Sequence, residues 1–197
     1  MSATARRSRS RAMPMSRPGP IAERCAEAMT QGQGAGDVIV TPRLRITRQT
    51  PDDACALHAI MSDWDVVRMT GTWPHPVSLD FVRDRIATRM GEAAFFGIIR
   101  DGDLPVGTGQ FANGEIGYLL AKTHWGRGLG TEVARALVGY GFDAGDHPDI
   151  RARVWADNPA SSRILTKLGF HEVERTLDEN RARQTRLVTI HYRLARP

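Results

Sequence analysis

The sequence predicts an α/β (α+β) domain in which helices flank a mixed central sheet. Three observations support this. Segments with strand-like alternation and segments with a helical apolar stripe interleave along the chain. Asp-Gly and Asn-Gly pairs join the middle strands directly, and 197 residues suffice for one well-packed domain with length to spare, but not comfortably for two. The hairpins argue against a pure doubly wound fold, which needs a helix between most successive strands.

Residues 1–36 are rich in Arg, Ser, Pro, Gly and Gln, show no sustained apolar period and end in Gln31-Gly32-Gln33-Gly34-Ala35-Gly36. They are expected to form a disordered extension ahead of a folded domain over 38–197. Six arginines face only Glu23 and Glu27 there, so most of the formal charge of +5 belongs to this segment. The composition fits either an organellar transit peptide or an extended start upstream of Met13, Met15 or Met29. A secretory signal is not expected, because no apolar core follows the arginines.

From Val38 the pattern becomes regular, and Arg43-Leu44-Arg45-Ile46-Thr47 alternates as a strand with one buried face should. Asp52 and Asp53 open a helix in which Ala56, Leu57, Ile60 and Met61 recur at helical spacing. A second helix follows Ser78, with Phe81, Val82, Ile86 and Met90 on one side. Between them Pro74 and Pro76 forbid regular structure. Strands over 95–100 and 104–111 flank Asp101-Gly102-Asp103 as a hairpin, and Asn113-Gly114 turns the chain into a strand over 115–120. Val133, Leu137 and Val138 stripe a helix over 131–142. A strand over 151–156, a short helix over 160–168 ended by Gly169, and a strand over 188–194 complete the series. Val188, Ile190, Tyr192 and Leu194 share one face of that last strand.

A composition of 41% hydrophobic and 25% charged residues is that of an ordinary soluble globular protein, and no window approaches the roughly 18 apolar residues of a membrane span. Cys25 and Cys55 lie in unlike surroundings with no neighbour at metal-ligand spacing. Both are expected to be free thiols, with no metal site and the reducing cytoplasm as the compartment.

Two segments carry chemistry. In Trp125-Gly126-Arg127-Gly128-Leu129-Gly130-Thr131-Glu132, between an apolar strand and an amphipathic helix, glycines let backbone N–H groups turn toward one anion and the helix adds its positive end. Taken alone, such a loop is equally an ordinary turn. The second runs Val154-Trp155-Ala156-Asp157-Asn158-Pro159-Ala160-Ser161 to Lys167-Leu168-Gly169-Phe170. It places Asn158 and Ser161 where short polar side chains cap a helix, and capping does not explain its pairing with the glycine loop some thirty residues upstream.

Together the two segments resemble the GNAT superfamily of N-acetyltransferases. The loop is similar to its coenzyme A pyrophosphate motif, Gln/Arg-x-x-Gly-x-Gly/Ala, and the second segment to the Asn-x-x-Ser…Lys-Leu-Gly-Phe stretch that follows it. Thr41-Pro42-Arg43-Leu44-Arg45-Ile46, Ile116-Gly117-Tyr118, Trp125-Gly126-Arg127-Gly128 and Thr131-Glu132 resemble the RimJ/RimL-like branch, whose founding members acetylate ribosomal-protein N-termini. The resemblance runs from about Val38 to the end. It implies a mostly antiparallel sheet of about seven strands, splayed between the fourth and fifth, with acetyl-CoA as cosubstrate and no metal. Tyr118, Leu119 and Leu120 would face the pantetheine arm and thioester. Trp125, Gly126, Arg127, Gly128, Leu129, Gly130 and Thr131 would wrap the pyrophosphate, and Asn158 would face the cofactor. Trp125 replaces the family's usual Gln/Arg, so backbone contact is expected there.

The implied mechanism is direct attack by a neutral amine on the thioester, with backbone N–H groups steadying the oxyanion. Glu115 matches a position where the family often places a basic carboxylate, and a solvated strand-entry residue is the plain alternative. Many relatives carry an acidic tyrosine seven positions after the asparagine, where this chain has Leu165. Ser161 and Tyr118 are therefore the candidates to protonate the thiolate, against a helix cap and core packing respectively. His75, in the loop that borders the acceptor site in relatives, could touch substrate but is read as a surface histidine. His124 is read as bridging solvent, and Trp64, Trp73 and Trp155 as packing residues.

The first-choice acceptor is a protein or peptide N-terminus. A small-molecule amine, such as an antibiotic, polyamine or amino acid, and a non-catalytic acyl-CoA-binding module are the alternatives. Nucleic-acid or ribosome contact through the basic tail is a further expectation, without a membrane partner, in a monomer or homodimer.

Overall fold

The computed structural model describes residues 38–90 and 94–197. The expected extension over 1–36, with its Cys25 and its nucleic-acid or ribosome contact, lies outside these residues. Eight strands form one sheet: β1 (Val38–Val40), β2 (Arg45–Arg48), β3 (Phe95–Asp101), β4 (Leu104–Ala112), β5 (Glu115–Leu120), β6 (Asp149–Trp155), β7 (His171–Asn180) and β8 (Thr185–Ala195). Their spatial order is β1-β2-β3-β4-β5-β6-β8-β7, and every neighbouring pair is antiparallel except β5 and β6. The helices are α1 (Ala54–Met61), α2 (Trp64–Val67), α3 (Leu79–Arg89), α4 (Leu129–Asp143) and α5 (Pro159–Lys167).

Alternation along the strands sends side chains to two cores. Leu44, Ile46, Phe95, Phe111, Ile116 and Ile150 pack with Val133, Leu137 and Leu165 of α4 and α5, whereas Ile98 joins Leu57, Met61, Val82 and Ile86 of α1 and α3 on the opposite face. The middle of the sheet is thus covered on both sides. The β6–β8–β7 end is covered on one side, so the other face of those strands carries polar residues such as Arg151, Arg153, His191 and Arg193.

Local chemistry explains the breaks. Asn113 (φ 52°) and Gly114 (φ 74°) both take the left-handed region that a two-residue hairpin turn demands. Asp53 accepts the backbone N–H of Thr50 at 2.9 Å and, buried, pairs with Arg100. Ser78 caps α3 by accepting the Phe81 N–H at 3.2 Å.

Four features differ from the sequence expectation. The strand expected over 43–47 begins only at Arg45 and is preceded by a separate strand, β1, because Thr41 and Leu44 close a turn (Thr41 N–H to Leu44 carbonyl, 2.9 Å) around Pro42. α2 is an extra turn of helix, capped by Asp63, which accepts the Asp65 N–H at 2.8 Å. β7 is an additional strand whose mostly solvent-exposed side chains give no hydrophobic alternation. Within β8, Ile190 and Tyr192 are buried but Val188 is exposed, because it lies opposite the exposed Leu177. The free thiol expected of Cys55 is also overturned, since it is disulfide-bonded, a pairing that spacing along a chain cannot reveal. The inference from free thiols to a reducing compartment therefore fails for this residue. Among the described residues no helix is long and apolar enough to cross a membrane.

β5 and β6 pair at Glu115↔Arg151, where the Arg151 N–H donates to the Gly114 carbonyl at 2.8 Å, and then diverge. This is the expected splay between fourth and fifth strands, displaced by one in number because β1 precedes the strand expected first.

Candidate active site

The divergence of β5 and β6 opens a cleft of about 1010 Å³. It brings together Glu115, Tyr118, Leu119 and Leu120 of β5, Trp125, Gly126, Gly128, Leu129, Gly130 and Thr131 from the loop and start of α4, and Asn158 and Ser161 at the start of α5. Arg127 is not part of the lining. Its guanidinium turns to Asp101 at 3.6 Å, and its carbonyl accepts a hydrogen bond from Arg43 Nη1 at 2.9 Å.

The loop before α4 is built for an anion. Gly126 (φ 72°) and Gly128 (φ 77°) hold left-handed conformations, and Gly128 stands at the N-cap of α4 without supplying a side-chain cap. α3 and α5 are capped by Ser78 and Asn158, the latter accepting the Ser161 N–H at 3.2 Å. The first-turn N–H groups of α4, together with the positive end of a fifteen-residue helix, are therefore left to the cleft, where they can hold a diphosphate. A Cβ at Gly130 would stand 3.0 Å from Ile164 Cδ1, so this glycine also lets α4 pack closely against α5.

A carboxylate, Glu132, sits in that same first turn, and Arg43 neutralises it. Glu132 Oε2 lies 2.7 Å from Arg43 Nε and 2.6 Å from Nη2, while Oε1 accepts the Arg43 N–H at 2.9 Å and the Thr41 hydroxyl at 2.6 Å. Through its bond to the Arg127 carbonyl, Arg43 ties the glycine loop to β2 and α4. Burial by itself would raise the Glu132 pKa, but the hydrogen bonds from Thr41 and Arg43 and the charge of Arg43 outweigh it and hold the carboxyl below its ordinary range. A depressed folded-state pKa contributes stability that is fully present above the unfolded value of 4.5 and is lost as pH falls through the lower folded value. Glu132→Gln is therefore expected to lower stability at pH 7 and to flatten its loss below pH 4.5, as read by denaturant midpoints across that range. An unchanged acid limb would refute the clamp.

At the other side of the glycine loop, the exposed Trp125 donates its indole N–H to the Leu120 carbonyl at 2.8 Å. Tyr118 is mostly buried, and its hydroxyl has no hydrogen-bond partner although it faces Ser161. Burial pushes its pKa up to about 12, an effect that the Ser161 hydroxyl offsets only in part because the geometry falls short of a full hydrogen bond. Glu115 lines the narrow end of the cleft with Oε1 held by Arg153 Nε at 3.0 Å. Leu165 is in the core.

Beyond the loop that carries His75, the remaining wall was not legible in the sequence. It includes Thr70–Trp73 and Arg85, with Arg85 over the Trp73 ring at 4.8 Å and donating to Thr72 Oγ1 at 2.8 Å. Trp155, which donates its indole N–H to the Thr70 carbonyl at 3.4 Å, adjoins them, and Asp157, Asp178, Glu179 and Thr189 also line the cleft. Trp73 and Trp155 pack as expected, whereas Trp64 is exposed and stacks on His75 at 5.0 Å between ring centroids, away from the cleft lining. His124 lines the cleft and lies 3.7 Å from Asp101. Among the described residues no group of His, Cys, Asp and Glu is placed to hold a metal ion.

Comparison with known proteins agrees with this geometry. The family model "Acetyltransferase (GNAT) domain" matches residues 43–171. The uncharacterized N-acetyltransferase p20 of Bacillus licheniformis is 30% identical over 168 residues, covering 79% of this chain and 93% of its own. Among solved structures, RimL, a ribosomal L7/L12 alpha-N-protein acetyltransferase in complex with coenzyme A, superposes with a TM-score of 0.70 at 19% identity, over 81% of this chain and 98% of its own. Spermidine N-acetyltransferase from Vibrio cholerae in complex with CoA and spermine gives 0.67 at 15%, over 78% and 95%. The chain belongs to the GNAT family and is an acetyl-CoA-dependent N-acetyltransferase.

Proposed function

We propose that the acceptor is the primary amine of a small molecule. The observation that carries this reading is the set of bonds that ties together two segments supplying lining residues of the cleft. The Arg181 N–H donates to the Gly71 carbonyl at 3.1 Å, Asn180 Nδ2 to the carbonyls of Arg68 and Thr70 at 3.1 and 3.0 Å, and Arg183 Nε to the Arg68 carbonyl at 2.9 Å. Arg183 also pairs with Asp157 at 2.5 Å. The β7–β8 turn and the segment after α2 are thus joined into one wall, which suits a compact amine better than a polypeptide needing an open groove. The likeness of the Thr41–Ile46, Trp125–Gly128 and Thr131–Glu132 segments to the RimJ/RimL-like branch speaks for a peptide N-terminus instead, and the bridged wall weighs against it.

Acetyl-CoA supplies the thioester carbonyl. Backbone N–H groups from Gly126 to Thr131 hold the diphosphate, and the unpaired edge of β5 at Leu119 and Leu120, with Asn158 opposite, takes the pantetheine arm. Tyr118 keeps its proton far above neutral pH and donates it to the leaving sulfur, with Ser161 beside it. Glu115 and Asp178 give the acceptor end the negative charge that draws in an ammonium group.

A free-thiol release assay over two acceptor panels tests the reading. Turnover of amino acids, polyamines or aminoglycosides, with kcat/KM at least tenfold above that of N-terminal peptides, is the expected result. Peptide turnover without small-amine turnover would overturn it, and acetyl-CoA binding without turnover of any amine would make the fold a sensor.

A further inference from the structure

Three side chains on the uncovered face of β7 and β8 connect the cleft to a second depression. Asp178 lines the cleft. Thr176 Oγ1 lies 2.6 Å from Asp178 Oδ2 and 2.7 Å from His191 Nε2. His191 lines a separate depression of about 560 Å³, shared with Arg153, Glu174 and Arg193. Strand periodicity places them: Thr176 and Asp178 are two residues apart on β7, Thr176 faces Thr189 in register, and His191 stands two beyond it on β8. The Thr189 hydroxyl is buried in the cleft lining beside Asp178 and has no hydrogen-bond partner, so the fold leaves a polar atom unsatisfied at this point.

We propose that Asp178 receives the proton released by the acceptor ammonium and that Thr176 and His191 carry it out to the second depression. The proposal rests on the acetyl-transfer reading and adds to it the path of the proton. At rest the Thr176 hydroxyl donates to Asp178 Oδ2; with His191 protonated on Nδ1, rotation of that one hydroxyl proton toward Nε2 opens Oδ2 to accept. The ammonium N–H bond breaks, its electron pair stays on the nitrogen that attacks the thioester, and the proton lands on Asp178 Oδ2. That proton then passes to Thr176 Oγ1 while the hydroxyl's own proton moves to His191 Nε2. The imidazolium releases its Nδ1 proton to solvent, and exchange with water restores the starting tautomer. No other reactant is consumed, and because one threonine oxygen already lies within hydrogen-bond distance of both partners, no heavy atom has to move.

Asp178 suits a carrier. The hydrogen bond from Thr176 first, and Thr189 next, hold its carboxyl below the usual range against the opposing effect of burial, and the charges of His191 and Arg153 add to this. Thr189 acts there by proximity, since its geometry falls short of a hydrogen bond. A carboxylate so held takes a proton only transiently, which makes an onward imidazole necessary. Glu115 is less suited, because Arg153 already occupies one of its oxygens. The charged groups around the path are Arg151 and Arg153 from β6, Glu115 from β5, Glu174 and Glu179 from β7 and Arg193 from β8.

The test is Thr176→Val, with Thr176→Ser as rescue and His191→Gln as a second break, on a small amine that the wild type acetylates. Expected is a loss in kcat of about tenfold or more near pH 7 with KM for acetyl-CoA unchanged, and a rate profile displaced to higher pH where free amine enters already deprotonated. Serine should restore both. Turnover by Thr176→Val with wild-type kcat and pH profile, or failure of serine to rescue, would overturn the relay alone. A wild type that binds acetyl-CoA but acetylates no amine would overturn the acetyl-transfer reading, and the relay with it.

Discussion

Tyr118→Phe is expected to lower kcat by about a hundredfold or more while leaving KM for acetyl-CoA near the wild-type value. The phenolic oxygen is the sole heavy atom removed, and it has no hydrogen-bond partner among the described residues. Loss of an unsatisfied buried hydroxyl should not destabilise the fold and can stabilise it slightly, so the variant should be well folded and slow. Wild-type Tyr118 remains protonated up to about pH 12, so the proton it donates is present across the whole working range and its own titration imposes no alkaline limb below that. Steady-state kinetics with a thermal melt checks both parts. A variant with unimpaired kcat would remove Tyr118 from proton donation and leave Ser161 as the candidate.

Gly107→Ala carries the largest expected effect on stability. A Cβ at Gly107 would lie 2.2 Å from the Leu119 carbonyl oxygen and 3.1 Å from Leu120 Cα, backbone atoms that cannot swing aside as a side chain would. Gly107 pairs with Leu120 in register, so the added methyl must push β5 away from β4. A destabilisation of about 3 kcal/mol, the upper end for overpacking, is expected from denaturant midpoints. The displacement falls on the strand that borders the cleft, so the heat of acetyl-CoA binding should weaken with it. Gly126→Ala makes a useful contrast: nothing lies within 4 Å of its Cβ, and the loss comes from the backbone conformation alone, about 1–2 kcal/mol. Equal stabilities for Gly107→Ala and wild type would mean that the β4–β5 register is wrong.

The sequence made the cofactor half of the cleft legible because its requirements are local. Gly126 and Gly128 take backbone angles that other residues resist, Asn158 precedes a proline-started helix, and each can be recognised from neighbours a few positions away. The partners of those residues were not legible. Arg43 and Glu132 are 89 positions apart, and nothing in the order of residues says that the first neutralises the second. The acceptor wall was hidden for a related reason. β7 is polar along most of its length, so its alternation carries no hydrophobic signal, and only the pairing with β8 places Asp178 and Thr176 on one face. Arg127 shows the converse, a residue correctly located in its loop whose side chain the fold directs to Asp101.

The two rims of the sheet are guarded in different ways. β1 ends one side after three residues, too short a template for another chain to extend, while β7 ends the other with ten residues that include Glu172, Glu174, Asp178 and Glu179. Antiparallel apposition of β7 on a copy of itself would bring acidic groups close together with few apolar contacts in return. The protein can therefore leave a long rim bare beside its reaction chamber without inviting fibrous growth, and the same acidic residues that discourage aggregation include two, Asp178 and Glu179, that line the chamber.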